Sequence, residues 1–591
     1  MRIGSGGLFA SDHAVQAEED GMATKVSDLG RRVAVFGGGP GGMTAAHELG
    51  ERGYEVDLYE RHQILGGKCR SFGVPGSGTD GRADLPGELG PHVYFGAYEH
   101  LGHTLQRIPV GDGRTVLDNL TIGDRAARTT LCFRGDTISL PFTSRHRWSQ
   151  WLNPRTILLA LVNARRAFKD IPRRDFALLA SKVLAVYTSG PQRQWKQLEY
   201  LPLSDFLRTE RLSERACELV EVAIQAQTPP ASRMNTRLFS EGLLRPMVAD
   251  YVFKRRSSTL REMYYSNSGP TNEIWFDPWA EHLTSLGVKI HTGQQLVELS
   301  TGPDAIASAT VTDHSGRRIE VVADHYVLAM PADKAAPLIS EQIAKMDPAL
   351  GRIERIEPHW LGAIQIYLKK PQPKIHMGTM AMSSPWTIFA VNVTNNMWRR
   401  DFPDQYGDGS VVGNISVDMA AWDNKGILYG KSAKECTPQE LFEEAVAQIR
   451  RDLDDETVLA EDAIHSWFMN PAISESDAGV LVNDEPLFAT PPGHSQFQPD
   501  AVTRIPNLFL ASSYVKSSRG VDGMDAANEA GKRAANGILD ATGDTSPRAP
   551  IHSAEPPALL RWLRARDDRR YARGLPNIFD RVNPLRLGSM K

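Results

Sequence analysis

The chain has 591 residues, a hydrophobic share of 41%, a charged share of 23% and a formal net charge of −4. That balance describes a globular protein and excludes a strongly basic nucleic-acid binder, while the length exceeds what one core organises, so two domains or one heavily inserted domain are expected. Cys69, Cys132, Cys217 and Cys436 stand far apart with no C-x-x-C pair, which argues against a disulfide framework or a zinc site and for a reducing, cytoplasmic setting.

From the N-terminus, residues 1–29 are rich in Gly, Ser, Asp and Glu without an apolar core, and read as a disordered leader rather than a secretory signal. Val33–Phe36 is then an apolar strand, followed by Gly37, Gly39 and Gly42 in G-x-G-x-x-G spacing and by a helix opening at Met43. The first glycine permits a tight turn, the second a close approach of backbone to pyrophosphate, and the third close helix–strand contact, with the helix N-terminus facing the phosphates. A second strand, Glu55–Glu60, ends on Glu60 at the spacing of a ribose-binding acid. Just beyond it, Gly66 and Gly67 free main-chain N–H groups for a phosphate or ribityl oxygen, and Arg61 and Lys68 add positive charge. His100 and His103 lie on one helix face with no third ligand nearby, so they read as a surface pair, and no metal site is expected.

Residues 141–280 lack strand alternation and read as helical. Within them Trp148, Trp151, Ile157, Leu159 and Phe168 interleave with Arg145, Arg155, Arg165, Arg173 and Arg174, a pattern that fits either lipid contact or a solvated basic face. Val288–Leu299, Ile306–Val311 and Ile319–Met330 predict an antiparallel meander returning to a parallel sheet. Leu508–Ala511 is a last short strand, and from Gly523 and Met524 onward small residues at helical spacing predict a closely packed helix with an anion-facing N-terminus. After a linker-like stretch, Leu559, Leu560, Trp562 and Leu563 precede Arg564, Arg566, Arg569 and Arg570, a second basic amphipathic element. No apolar run of about 18 residues exists, so no transmembrane helix is expected.

Three stretches carry a resemblance. Leu65-Gly66-Gly67-Lys68 is similar to the glycine doublet of FAD enzymes in the amine oxidase and phytoene desaturase superfamily. Glu88–Tyr98 resembles the E-x-G-x-H-x-x-F-G-A-Y segment of plant-type phytoene and ζ-carotene desaturases, and Asn507–Ala511 with Tyr514, Lys516 and the Met524 helix resembles their C-terminal flavin motif. Trp360–Leu368 resembles the substrate-domain strand of related bacterial desaturase-like proteins, so the likeness runs from about residue 30 to residue 540. It departs from the pattern at Lys68, where arginine is usual, at Leu65, and at Ser512-Ser513, where an acid is usual.

The resemblance implies an α/β fold: a discontinuous Rossmann-type FAD-binding domain (30–100, 281–340, 500–541) with an inserted mixed sheet and a helical substrate domain (101–280, 341–499), then a linker and basic tail (542–591). It implies FAD held by Gly37, Gly39, Gly42, Glu60, Arg61, Gly66, Gly67, Lys68, Val297, Gly523 and Met524, with His92 and Tyr514 lining the pocket as candidate catalytic groups. Cys69, beside the cofactor loop, reads as a small packed residue. The implied function is desaturation or dehydrogenation of a lipophilic, isoprenoid- or lipid-like substrate by hydride transfer to flavin. The alternatives are a non-redox flavoprotein (isomerase, hydratase or dehydroxylase), a flavin amine oxidase and a flavin-free scaffold. The partner expectations are an apolar small molecule, a quinone or oxygen as electron acceptor, peripheral membrane contact and a homo-oligomer, with no nucleic acid.

Overall fold

The computed structural model describes residues 30–122, 128–141, 171–225, 229–245, 259–260, 264–392, 394, 398–552 and 558–580. The expected leader, and residues 145–170 of the expected lipid-contacting segment, lie outside the described residues.

The N-terminal part runs β1 (Arg32–Phe36), α1 (Pro40–Gly50), β2 (Glu55–Glu60), β3 (Ser71–Gly73), β4 (Pro86–Glu88), β5 (Val93–Phe95), α2 (Glu99–Leu105), β6 (Arg128–Phe133) and β7 (Asp136–Pro141). The middle continues with α3 (Arg173–Thr188), α4 (Pro191–Lys196), β8 (Tyr264–Asn267), α5 (Asp277–Ser285), β9 (Lys289–Thr292), β10 (Gln294–Thr301), β11 (Ile306–Asp313), β12 (Arg318–Val321) and β13 (His325–Leu328). The C-terminal part adds β14 (Gly362–Leu368), β15 (Gly378–Ala381), β16 (Ile388–Val391), β17 (Gly413–Met419), α6 (Pro438–Leu453), β18 (Ile464–Met469), β19 (Leu508–Leu510), α7 (Met524–Ala541) and α8 (Ala558–Tyr571).

Five strands gathered from both ends of the chain form one parallel sheet in the order β9-β2-β1-β13-β19. Val33–Phe36, His325–Leu328 and Leu508–Leu510 are buried throughout, as strands covered on both faces must be, which explains their near-continuous apolar sequences. Strands β10, β11 and β12 form an antiparallel meander that leads into β13.

Helix α1 covers the sheet with all its residues buried, and α7 lies against it. The two approach at backbone distance because glycines face each other. A Cβ on Gly41 would lie 1.9 Å from the carbonyl oxygen of Ala511, and one on Gly531 would lie 2.4 Å from the carbonyl oxygen of Gly41.

A second, seven-stranded sheet has the order β18-β14-β17-β16-β15-β6-β7. Its β14 and β17 present Ile364, Ile366, Ile415, Val417 and Met419 to a core closed by α6, and an opposite polar row, Gln365, Asn414, Ser416 and Asp418, to the β4–β5 turn.

The stretch 141–280 is not strand-free: β8 pairs antiparallel with β5, giving this segment a sheet anchor that its Tyr-Tyr-Ser-Asn sequence does not advertise by alternation. Helix α8 buries one face, with Leu560, Arg564 and Asp567 covered, and exposes Arg566 and Arg569 on the other. Arg564 is buried against Glu241 at 3.0 Å, and Asp567 against Arg193 at 2.8 Å, while Lys182 pairs with Asp580 at 2.9 Å. No helix among the described residues is long and apolar enough to cross a membrane.

Candidate functional site

The glycine-rich turn after β1 packs against the second glycine motif. Gly37 sits at φ +117°, Gly66 at +116° and Gly67 at +53°, conformations that side chains rarely adopt. A Cβ on Gly67 would lie 3.0 Å from the Cα of Gly39, so the two motifs meet back to back. Glu60, at the end of β2, is buried, and its two carboxylate oxygens accept the N–H groups of Gly38 (2.7 Å) and His62 (2.9 Å). That grip fixes the acid beside the turn while leaving lone pairs free for sugar hydroxyls.

At the carboxyl ends of β13 and β19, where ligands bind open parallel sheets, lies a small crevice lined by Lys68, Pro331, Phe488, Ser513 and Tyr514 among others. Lys68 Nζ donates to the carbonyl of Pro486 and stands 3.6 Å from the carboxylate of Asp522. Gly523 and Met524 begin α7 nearby, and nothing lies within 4 Å of where a Cβ on Gly523 would be.

Val297 sits on β10 where the register with β11 skips a residue. Arg61 is committed to Asp484 (2.8 Å) and Glu485 (2.7 Å). Glu485 is a hub that also pairs with His62 and Arg70, each at 2.7 Å. Burial disfavours its charge, but the hydrogen bonds from His62, Arg70 and Arg61 outweigh that and hold it far below the usual carboxylate range. The segment carrying Glu485 and Pro486 is thereby strapped over the glycine doublet.

The Glu88–Tyr98 stretch forms the seam between the two sheets. Glu88 accepts Thr271 N–H at 2.9 Å and Thr271 Oγ1–H at 2.8 Å, and His92 Nδ1 lies 3.4 Å from its carboxylate. Burial works against charge on His92, yet hydrogen bonds to the Cys69 thiol and to Glu88 win and push its pKa up to about 10. The arrangement favours the protonated form of His92, facing the Glu88 carboxylate. Cys69 is half-buried and packs against the core of the cofactor-side sheet. Across the seam, Asp418 is buried with Oδ1 unpartnered, and burial pushes its carboxyl well above the usual range against a partial offset from His92. Tyr514 is fully buried with an unpartnered hydroxyl, whose pKa burial raises.

His100 is not part of a surface pair. It is 2% exposed, covered by α7, with Nδ1 at 3.6 Å from Asp525. One group among the described residues, His47, Glu51 and His282, brings three ligand atoms within 4.8 Å of one another. Trp279 Nε1–H donates to His47 Nδ1 at 3.1 Å, which places the proton of neutral His47 on Nε2, the nitrogen 3.0 Å from Glu51, and leaves no lone pair there for a cation.

Sequence spacing marked the glycines and Glu60, the resemblance pointed to His92 and Tyr514, and neither pointed to Glu485, Asp522 or Asp418. Asp522 alone had a local cue, its place in the Gly520–Gly523 turn.

The family described as flavin containing amine oxidoreductase matches residues 40–539. The chain is 22% identical over 539 residues to a ζ-carotene desaturase of Synechocystis sp., covering 86% of this chain and 97% of that protein. It is 20% identical over 515 residues to a 15-cis-phytoene desaturase of Synechococcus elongatus, covering 86% and 96%. Among solved structures, cyclohexylamine oxidase from Brevibacterium oxydans superposes with a TM-score of 0.55 at 13% identity, covering 86% of this chain and 98% of that one. Putrescine oxidase bound to putrescine does so with a TM-score of 0.54 at 13% identity, covering 86% and 99%, a likeness of fold.

Proposed function

Because the chain belongs to the family of flavin containing amine oxidoreductases and is an FAD-dependent oxidoreductase, we propose that it desaturates an extended, lipophilic, isoprenoid-like substrate. The observation that carries this reading is near-full-length similarity to carotenoid desaturases, which spans both the cofactor side and the substrate side. When bound, the flavin supplies the hydride acceptor for an allylic C–H bond.

The chain's own residues bind and orient. The Gly37–Gly42 turn and the start of α1 would hold the pyrophosphate, Glu60 the ribose, and Gly66–Lys68 with the start of α7 the polyol side. His92 keeps a positive charge at the seam, with Glu88 as its counter-ion and Thr271 fixing both. Asp418 is held neutral, so the seam offers no ionised, unpaired group, a setting that favours an apolar substrate over a charged one. Tyr514 lines the crevice. A quinone or oxygen would serve as the terminal electron acceptor. The half-exposed Phe176 (52%) and Trp562 (53%) and the exposed Leu559 (70%), with arginines on the same helices, support peripheral contact with an anionic bilayer.

Amine oxidation is the second reading, favoured by Asp418: an unpartnered buried carboxyl could pair with a substrate ammonium. Anaerobic mixing of the purified holoprotein with carotenoid precursors, sterol-like lipids and amines decides. Loss of oxidised-flavin absorbance with an isoprenoid supports desaturation. Loss with amines only, abolished in Asp418→Asn, establishes the second reading, and turnover of a lipid without flavin reduction overturns both.

A further inference from the structure

We propose that Asp522 is the acidic member of the cofactor cradle, acting with Ser513 and Lys68 as one unit toward the polyol and phosphate oxygens of FAD. The inference rests on FAD being the cofactor and adds a residue outside every glycine motif.

Three observations lead there. The position at the end of β19, beside the crevice, is a hydroxyl, Ser513, which carries no charge. That hydroxyl donates to Asp522 Oδ1 at 2.5 Å, and Asp522 Oδ2 accepts Phe488 N–H at 3.2 Å and faces the Lys68 ammonium at 3.6 Å. Asp522 thus joins β19, the glycine doublet and the Pro486–Phe488 strap at a single carboxylate, with its side chain only 11% exposed. Finally, Tyr514 lines the same crevice, and its buried hydroxyl has no hydrogen-bond partner.

The chemistry of the unit suits a sugar-alcohol diphosphate. Ser513 spends its only hydrogen on Asp522, so toward any other group it acts as an acceptor, strengthened by the carboxylate behind it. Lys68 supplies the complementary donor and a positive charge for phosphate. An acid on the turn nine residues after Ser513 can take this role because Gly520, at φ +67°, lets the chain double back to the strand end.

The test uses full-length protein stripped of flavin and titrated with FAD, with the melting temperature of the apoprotein followed in parallel. Asp522→Asn should weaken FAD binding about tenfold or more, as expected for losing a charge-assisted contact. Ser513→Asp/Asp522→Ser, which moves the acid to the strand end, should restore binding to within about threefold of the parent. Two outcomes overturn the proposal: Asp522→Asn binding FAD like the parent, including when its apoprotein melts lower, or the swapped chain binding no better than Asp522→Asn. If Asp522→Asn fails to fold, the swapped chain alone decides by the same threshold. A parent chain that takes up no FAD would instead defeat the assignment of the cofactor itself.

Discussion

The cofactor-side sheet and the helical region around α3 and α4 are both assembled from distant pieces of chain, and they are joined by opposite means. On the cofactor side, Gly41, Ala511 and Gly531 meet backbone to backbone, and the contact tolerates no added atom. In the helical region the C-terminal segment is fastened by buried ion pairs, Arg193 with Asp567, Arg564 with Glu241 and Lys182 with Asp580. The first joint is steric and indifferent to pH and salt. The second is electrostatic, and its charges depend on partners between 323 and 398 residues away. The lesson is that one chain can close a rigid ligand-holding half with small residues and attach a separate half with charge.

The largest expected effect breaks the steric joint. Gly41→Val should abolish folded, flavin-binding protein, because its Cβ would meet the Ala511 carbonyl at 1.9 Å. Gly316→Ala, where nothing lies within 4 Å, should cost only about 1–2 kcal/mol for its left-handed backbone, read by thermal unfolding. Next, Asp567→Ala should destabilise by about 3–5 kcal/mol, since Arg193 stays buried and unpaired. The double variant Arg193→Leu/Asp567→Leu should recover most of that loss; if it does not, the joint is more than electrostatic.

A smaller effect tests whether the cofactor side is as free of charge dependence as its glycines suggest. Asp525, in the first turn of α7, is buried, but hydrogen bonding to His100, the Arg519 charge and the Leu101 N–H overcome burial and hold it down at about 2, against an ordinary 3.8. Its folded value is lowered, so its stabilisation, about 2 kcal/mol, is present above pH ~4 and lost as pH falls toward 2. Unfolding as a function of pH should show this dependence in the parent and lose it in Asp525→Asn. Smallest in stability is the paired change Leu559→Ser/Trp562→Ser, expected within about 0.5 kcal/mol of the parent because both side chains are solvent-facing. The same variant should float less with anionic vesicles. Unchanged flotation would remove α8 from the membrane reading.

What the sequence disclosed divides along the same line. The Gly37–Gly42 turn, Glu60 and the small-residue helix α7 were legible because their requirement is local: a tight turn, a spacing, a close face. His92 was legible as a position and illegible as a charge, since its proton is held by Glu88, Cys69 and Thr271, and the last stands 179 residues away. His100 looked like surface because the helix that covers it comes 425 residues later. Arg61 looked like a phosphate ligand until the Asp484–Glu485 strap, invisible in any local pattern, was seen to occupy it. Arg564 reads as one more solvated arginine until Glu241 is placed opposite it.

The notch at Gly41 also sets the order of events during synthesis. Strand β1 and helix α1 are made first, yet α1 is buried along its whole length only once Ala511 and Gly531 have arrived. At roughly 5–20 residues per second, the ribosome leaves that apolar surface uncovered for roughly 25–100 s. Pairing that spans most of the chain is also intrinsically slow to form. The parallel sheet and the full cover of α1 are therefore complete only once β19 and α7 have been made.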